Sequence, residues 1–196
     1  LRVDRQNRLW LLDFAEHGMQ TPQIVAIDLY NMELLHHFEF PSEIAGIGSH
    51  LNDFQVSQDG KFIYIADASI LRKNPALIVY DVEQKTARRL LEDHDSVTPD
   101  NFVPVVDKEK MLIFGVFAIR PGVDSIALDR QEQWLYFAPV TDTYLHRVRL
   151  SDLHNPQLSA NQLAEKVERF AKKSMSDGIT TDDAGNIYLS DLEHRA

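Results

Sequence analysis

The sequence contains no cysteine. It therefore offers no disulfide framework, no thiolate metal ligand and no cysteine nucleophile. Long hydrophobic runs are also missing, since none approaches the roughly 18 residues that a membrane-spanning helix needs. No signal-peptide core is visible, but the chain begins on Leu1 inside a repeat, so this absence excludes nothing. A cysteine-free chain is compatible with the cytoplasm, the periplasm or secretion.

Positive charge is scarce, with 20 Lys and Arg residues against 30 Asp and Glu residues and a formal net charge of −10. Such a surface repels phosphate backbones, because nucleic-acid affinity comes largely from Lys and Arg that displace counterions. The densest basic stretch, Lys166 to Lys173, is interleaved with Glu165 and Glu168 and is interpreted as a solvated face. We expect a small-molecule ligand, with no nucleic-acid partner and no membrane span.

One short pattern recurs four times: an Asp-containing turn followed by a strand of alternating aromatic and aliphatic residues. The copies are Asp4–Asp13, Asp59–Asp67, Asp129–Phe137 and Asp183–Asp191. Asp-Gly and Asn residues tolerate positive φ and favour tight hairpin turns. The Trp or Tyr that follows, among β-branched neighbours, is typical of a half-buried strand.

Further strand-like runs lie between these copies. They are Gln23–Leu29, Leu34–Phe40, Leu77–Asp81, Met111–Ile119 and Tyr144–Leu150. The repeated signatures imply units of about 55 to 70 residues, close to a four-stranded propeller blade with long loops. The sequence therefore predicts an all-β fold, a β-propeller of which this chain covers about three to four blades. Ser159–Val167, rich in Ala, Leu, Gln and Glu, predicts a short surface helix.

An arc of three to four blades does not close on itself. It would expose two strand edges and an apolar flank that proteins normally cover. We therefore expect residues 1–196 to form a single domain that is a partial propeller, truncated at both ends. Trp10, Tyr64 and Trp134 would pack between blades.

Five motifs in one order resemble the yellow / major royal jelly protein family. They are Arg8–Asp13, Gln23–Leu29, Leu77–Asp81, Ser176–Ile179 and Gly185–Asp191. The resemblance implies a six-bladed propeller related to the gluconolactonase and senescence-marker group, and it favours a secreted or periplasmic location. Insect members carry disulfide cysteines, so this cysteine-free chain looks like a bacterial-type relative. Known members include amine and sterol binders and proteins of pigment chemistry, so the resemblance fixes no activity.

Three acidic residues precede the turn of their copy by five or six residues. These are Asp53, Asp124 and Asp177. The first strand of a blade lines the central channel, so we expect these carboxylates to converge near the axis. Asn52 adds an amide oxygen, and His50 lies in a loop that could reach the channel mouth. The predicted ligand-binding set is Asn52, Asp53, His50, Asp124 and Asp177.

Hard oxygen donors without cysteine suit Ca²⁺ or Mg²⁺ better than zinc. Lactonase-type propellers hold their metal with Asn and Asp at what look like these positions, and Asp177-Gly178 is the best motif match. This resemblance implies Ca²⁺ on Asn52, Asp124 and Asp177. The alternative remains open that these carboxylates only cap strand entries through bonds to backbone N–H groups.

The other polar residues carry weaker signals. His36 and His37 are adjacent on a strand and point to opposite faces, so they cannot share a metal. His17, like His50, lies in a loop that could reach the channel mouth, and it is interpreted as a solvated loop residue. Asp13, Asp67 and Asp191 are interpreted as turn residues. No Gly-x-Ser-x-Gly nucleophile elbow is present, and no catalytic residue is assigned.

The sequence leaves open whether the protein is an enzyme. The first hypothesis is a propeller of the yellow / major royal jelly type that binds a small molecule or an ion at its central channel. The second is a metal-dependent, sugar-lactonase-like hydrolase, in which the ion polarises a carbonyl group.

Overall fold

The computed structural model describes residues 1–72 and 74–194, apart from the side chain of Ile113. The first sheet contains β1 (Arg2–Val3), β2 (Arg8–Asp13), β3 (Gln23–Asp28) and β4 (Leu34–Glu39), with the turn α1 (Ala15–Gly18) after β2. The second sheet contains β5 (Leu51–Val56), β6 (Phe62–Asp67), β7 (Ala76–Asp81) and β8 (Thr86–Leu90). Both are antiparallel, and consecutive strands are neighbours.

Two small hairpins follow, made of β9 (Val105–Val106) with β10 (Glu109–Lys110), and β11 (Leu112–Ile113) with β12 (Phe117–Ala118). The third sheet contains β13 (Val123–Leu128), β14 (Trp134–Pro139), β15 (Tyr144–Arg149) and β16 (Glu168–Lys172). Helices α2 (Leu150–His154) and α3 (Ala160–Ala164) separate its last two strands, and β17 (Ile179–Thr181) pairs with β18 (Ile187–Leu189).

The first strands of successive sheets contact one another. β5 contacts both β1 and β13, and β13 also contacts β17. Antiparallel four-stranded sheets arranged side by side, with their first strands adjacent, are blades of a propeller. The three four-stranded sheets are complete blades, and β17 with β18 forms part of a fourth. The predicted all-β propeller of three to four blades is therefore confirmed. Six blades for the whole protein, and truncation at both ends, stay predictions.

Three apolar clusters join the blades. Between the first and second sheets, Trp10 is fully buried with Ile24 and Phe40 against residues such as Tyr80. Between the second and third, Tyr64 packs with Phe137, and a smaller cluster around Tyr136 reaches Ile179. Trp10 and Tyr64 therefore pack between blades as predicted. Trp134 is half-buried beneath the guanidinium of Arg147, 4.1 Å from its ring centroid.

The turns that connect the first two strands of each sheet share one device. A side-chain oxygen accepts a hydrogen bond from the backbone N–H four residues later. The four residues that do so are Asp4, Ser57, Asp129 and Asp182. The repeat in the sequence was aligned on Asp59 and Asp183 instead, so the structure shifts two copies by one or two residues. In the second copy the shift arises because Ser57 replaces Asp as the acceptor, and in the fourth copy the first of two adjacent Asp residues, Asp182, is the acceptor.

Two predicted elements have different boundaries in the structure. Met111–Ile119 was predicted as one strand but forms the β11–β12 hairpin, because Phe114 and Gly115 have φ values of 52° and 69° and turn the chain. The predicted helix within Ser159–Val167 is confirmed as α3, where Ser159 and Gln162 form a capping box. No helix in the described part of the chain is long and apolar enough to cross a membrane.

Candidate functional site

Two innermost strands begin with a β-bulge. Pairing of β5 with β6 passes from Leu51 opposite Asp67 directly to Phe54 opposite Ile65, which leaves Asn52 and Asp53 outside the regular ladder. Pairing of β13 with β14 skips Asp124 in the same way. A bulge re-aims its side chains and is common beside binding sites. Three of the five predicted ligand-binding residues therefore lie at irregularities of the channel-lining strands.

Asp124 is the most strongly perturbed acid of the site. Only 4% of it is exposed. Burial raises the pKa of Asp124 to about 8, and the hydrogen bond and negative charge of Asp177 and the charge of Asp53 add to this effect. At pH 7 the Asp124 carboxyl thus keeps its proton, because ionising a buried carboxyl group beside a second carboxylate is unfavourable. The predicted convergence of Asp124 and Asp177 is present in the structure.

Asp53 lies in the same register but has a different environment. Its carboxylate forms an ion pair with Arg2 of β1 and accepts the N–H of Phe54 at 2.8 Å. Burial raises the pKa of Asp53, while the nearby Arg2 charge opposes the shift. Asp53 thus accepts a backbone N–H at the start of its strand, and Arg2 neutralises its charge. Asp124 and Asp177 remain as the acidic pair without a cation, since none of the ion pairs found within 1–72 and 74–194 includes them.

Asn52 connects the carboxylate pair to His50. Its amide Nδ2 donates to the backbone oxygen of Asp124 at 3.4 Å, and its side chain also interacts with the His50 ring. Burial lowers the pKa of His50, and the positive charge that His17 could carry lowers it further. The His50 ring is therefore neutral at pH 7, so one of its two nitrogens carries a lone pair that can accept a hydrogen bond or bind a metal.

His17 joins this group, although sequence reasoning left it in a solvated loop. Its Nδ1 lies 3.1 Å from Nδ1 of His50, and the ring centroids are 4.7 Å apart. The placement depends on α1, where Ala15, Glu16, His17 and Gly18 all have φ between 51° and 72°. Each non-glycine residue in this left-handed conformation costs roughly 1–2 kcal/mol. Nothing in the sequence signals such a turn.

Gly18 is required at the end of that turn. A Cβ on Gly18 would lie 2.1 Å from the backbone oxygen of Gly46. Asp13 supports the start of the turn by accepting the N–H of Ala15 at 2.8 Å, which confirms its predicted turn role. The backbone oxygen of His17 accepts the N–H of Gly48 at 2.7 Å. The chain on either side therefore holds His17 against His50.

Asp67 has a larger role than the predicted turn residue. It does accept the N–H groups of His50 and Ser69, at 2.7 Å and 2.9 Å. Its other oxygen lies 2.6 Å from Nη1 of Arg89, and both side chains are buried. This ion pair connects the end of β6 to β8 and fixes the backbone that carries His50.

A cavity of about 560 Å³ opens at the same end of the sheets. Apolar side chains such as Leu71, Pro99 and Phe117 line most of it, and Arg120 contributes a charge. Its wall includes Gly122, which directly precedes β13, and Ala68, which follows Asp67. The volume falls in the range of small-molecule sites. Sequence reasoning missed this cavity because the segment between the second and third blades builds much of it.

The oxygen donors only partly fit the implied Ca²⁺. Carboxylate and amide oxygens of Asn52, Asp124 and Asp177 have the right chemistry. However, the described residues include no group of three or more His, Asp or Glu side chains that could hold a metal. Arg2 already neutralises Asp53, so this part of the chain supplies two free carboxylates where Ca²⁺ takes six to eight oxygen ligands.

Comparison with solved structures supports the propeller class. A hydrazine synthase chain from Kuenenia stuttgartiensis matches with a TM-score of 0.66 and 11% identity over 99% of this chain and 55% of its own. A gluconolactonase from Xanthomonas campestris matches with a TM-score of 0.54 and 16% identity, over 96% of this chain and 54% of its own. The calcium-binding protein regucalcin from Agrobacterium tumefaciens gives 0.52 and 16%, over 95% and 50%. At these identities the likeness concerns the fold.

The chain belongs to the major royal jelly protein family, whose model matches residues 1–196. Major royal jelly protein 1 of Apis mellifera is 24% identical over 83% of this chain and 39% of its own length. Major royal jelly protein 6 of the same bee is 27% identical over 83% of this chain and 38% of its own. The family resemblance drawn from the five motifs is thus confirmed. This chain spans about two fifths of the length of these relatives.

Proposed function

We propose that this chain forms part of the channel wall of a propeller that binds a small cationic molecule. The protonated Asp124 carboxyl beside Asp177 carries the proposal. A buried carboxyl group with a pKa near 8 sits beside a second carboxylate, and no Lys or Arg in the described ranges pairs with either. An ammonium group that replaced the proton would neutralise both carboxylates and form charge-assisted hydrogen bonds.

The remaining members of the predicted set support this pair. Asn52 fixes the backbone of Asp124, and Asp53 with Arg2 adds polar surface that is neutral overall. His50 borders the same end of the strand as a neutral ring. The apolar cavity beside β13 matches the size that the hydrophobic part of an amphiphilic amine requires.

Isothermal titration calorimetry of the intact protein with primary amines such as tyramine and phenethylamine tests the proposal. Binding at pH 7 should release up to about one proton per ligand, because the ammonium group replaces the proton on Asp124. The dependence of the measured heat on the ionisation enthalpy of the buffer gives the number of protons released. Asp124→Asn and Asp177→Asn should abolish the heat. Asp183→Asn is the matched control, since that carboxylate is 91% exposed at the far end of the same sheet.

A Ca²⁺-dependent, lactonase-like hydrolase is the second candidate. It is favoured by the oxygen donors and by the likeness to a gluconolactonase and to a calcium-binding regucalcin. Asn52, Asp124 and Asp177 would be part of the ion's ligand set, and further donors would be needed. In the same calorimetric series, heat with CaCl₂ that Asp124→Asn abolishes, and no heat with amines, would favour this candidate. No heat with either probe would contradict both.

A further inference from the structure

The two rings that meet at the end of β5 have an unusual mutual geometry. Nδ1 of His17 and Nδ1 of His50 are 3.1 Å apart, the centroids are 4.7 Å apart, and the ring planes differ by 26°. In a linear N–H···N hydrogen bond of this length the centroids would be about 5.3 Å apart, as each lies about 1.1 Å behind its nitrogen. The contact between the two nitrogens is therefore a bent hydrogen bond and not a linear one.

Two imidazoles that share one metal ion reproduce these values. With M–N distances of about 2.1 Å and an N–M–N angle of about 95°, close to that of square-planar Cu²⁺ or Ni²⁺, the nitrogens lie about 3.1 Å apart and the centroids about 4.7 Å. We propose that Nδ1 of His17 and Nδ1 of His50 bind one divalent transition-metal ion at the rim of the channel. This site uses different atoms from the Asp124–Asp177 pair.

The backbone and its neighbours hold both histidine side chains in place before any metal binds. His17 sits in the left-handed turn α1, whose positive φ values cost free energy and must be held by surrounding contacts. His50 is held from the other side through its N–H bond to Asp67, itself locked by Arg89. Phe14 packs edge-on against both rings, at 4.9 Å and 5.2 Å, and covers one side of the pair. Ligands fixed in this way lose little freedom on binding.

The donor atoms select the kind of metal. Imidazole nitrogens suit Cu²⁺, Ni²⁺ and Zn²⁺, and they are poor ligands for Ca²⁺ and Mg²⁺. The Asn52 side chain beside His50 provides the polar neighbour that typically orients a metal-bound imidazole. Two protein ligands leave the other coordination positions to water or to a donor group from solution, so the ion is held in an open site.

The test is metal titration of the intact protein after exhaustive chelation. We expect one Cu²⁺ per chain, with an electron paramagnetic resonance spectrum of two equivalent nitrogen donors. Affinity should be higher for Cu²⁺ than for Zn²⁺, and higher for Ni²⁺ than for Mn²⁺. His17→Gln and His17→Ala should each abolish this binding, and Asn52→Leu should weaken it about 10- to 100-fold.

Two controls separate this site from other sources of binding. His37→Gln removes an exposed histidine of β4 that is hydrogen-bonded to Gln23 of β3, and it should leave the titration unchanged. Asp177→Asn should abolish amine binding and leave Cu²⁺ binding intact, so the metal site and the proposed function can fail separately. Equal Cu²⁺ binding by wild type and by folded His17→Gln, or a spectrum with a single nitrogen donor, would overturn the proposal.

Discussion

The two ends of the sheets are built in different ways. At the end where the first strand of each sheet turns into the second, the same hydrogen bond occurs four times. A side-chain oxygen accepts the backbone N–H of the residue four positions later, and the accepting residues are Asp4, Ser57, Asp129 and Asp182. At the opposite end each connection is different: a left-handed turn after β2, a buried ion pair after β6 and a long insertion before β13. The repeated end specifies the fold, and the irregular end carries the candidate sites, as is usual for loops on a rigid scaffold.

The largest effect is expected from Asp67→Ala, which removes one partner of the buried pair at the irregular end. Arg89 would lose its buried counter-charge and keep only Glu92, whose side chain is 40% exposed. We therefore expect a cost at or below that of breaking a fully buried pair, which is about 3–5 kcal/mol. Urea denaturation followed by fluorescence measures the change. Asp13→Ala, which removes an exposed turn carboxylate, should cost well under half as much. Equal effects would show that the ion pair does not hold this end together.

A pH-dependent effect is expected at the carboxylate pair. Asp124 has a folded pKa of about 8, well above its unfolded value, so the folded state holds an extra proton between roughly pH 4 and pH 8. The free energy of unfolding should therefore decrease as pH rises through this range, by at most about 1.4 kcal/mol per pH unit. Asp124→Asn, which cannot ionise, should flatten this slope and be more stable than wild type at pH 8.

A smaller effect is expected at the repeated end. Asp129→Ala removes the acceptor for the N–H groups of Gln133 and Trp134 at 2.7 Å and 2.6 Å, which costs about 1–2 kcal/mol for two bonds. Asp129→Ser should recover most of the loss, because Ser57 fills the same role in the preceding blade. If serine rescues no better than alanine, the equivalence of the four turns is wrong.

Periodicity explains what could be predicted from the sequence. Strand alternation and recurring turns located most of the strands. An interval of five or six residues from the turn placed Asp124 and Asp177 at the start of neighbouring inner strands, where the two side chains interact. These features depend on local patterns that repeat. The blade arrangement followed from the same repeats.

What could not be predicted depends on contacts between distant residues. Arg2, which lies about 50 residues earlier in the chain, neutralises the charge of Asp53. Asp53, Asp124 and Asp177 therefore look equivalent in the sequence but differ in their electrostatic environment. The bulges at Asn52 and Asp124 have no compositional signature. His17 reaches His50 only through a run of positive φ values that its side chains disfavour.

We propose that the Asp124 carboxyl beside Asp177 is protonated in the free protein and that a cationic ligand displaces this proton. Carbon-detected nuclear magnetic resonance of ¹³C-labelled aspartate measures this directly, with Asp124→Asn used to assign the signal. We expect the Asp124 carboxyl to titrate near pH 8 in the free protein and well below pH 7 when saturated with amine. Titration near pH 4 in the free protein, unchanged by the ligand, would contradict the claim.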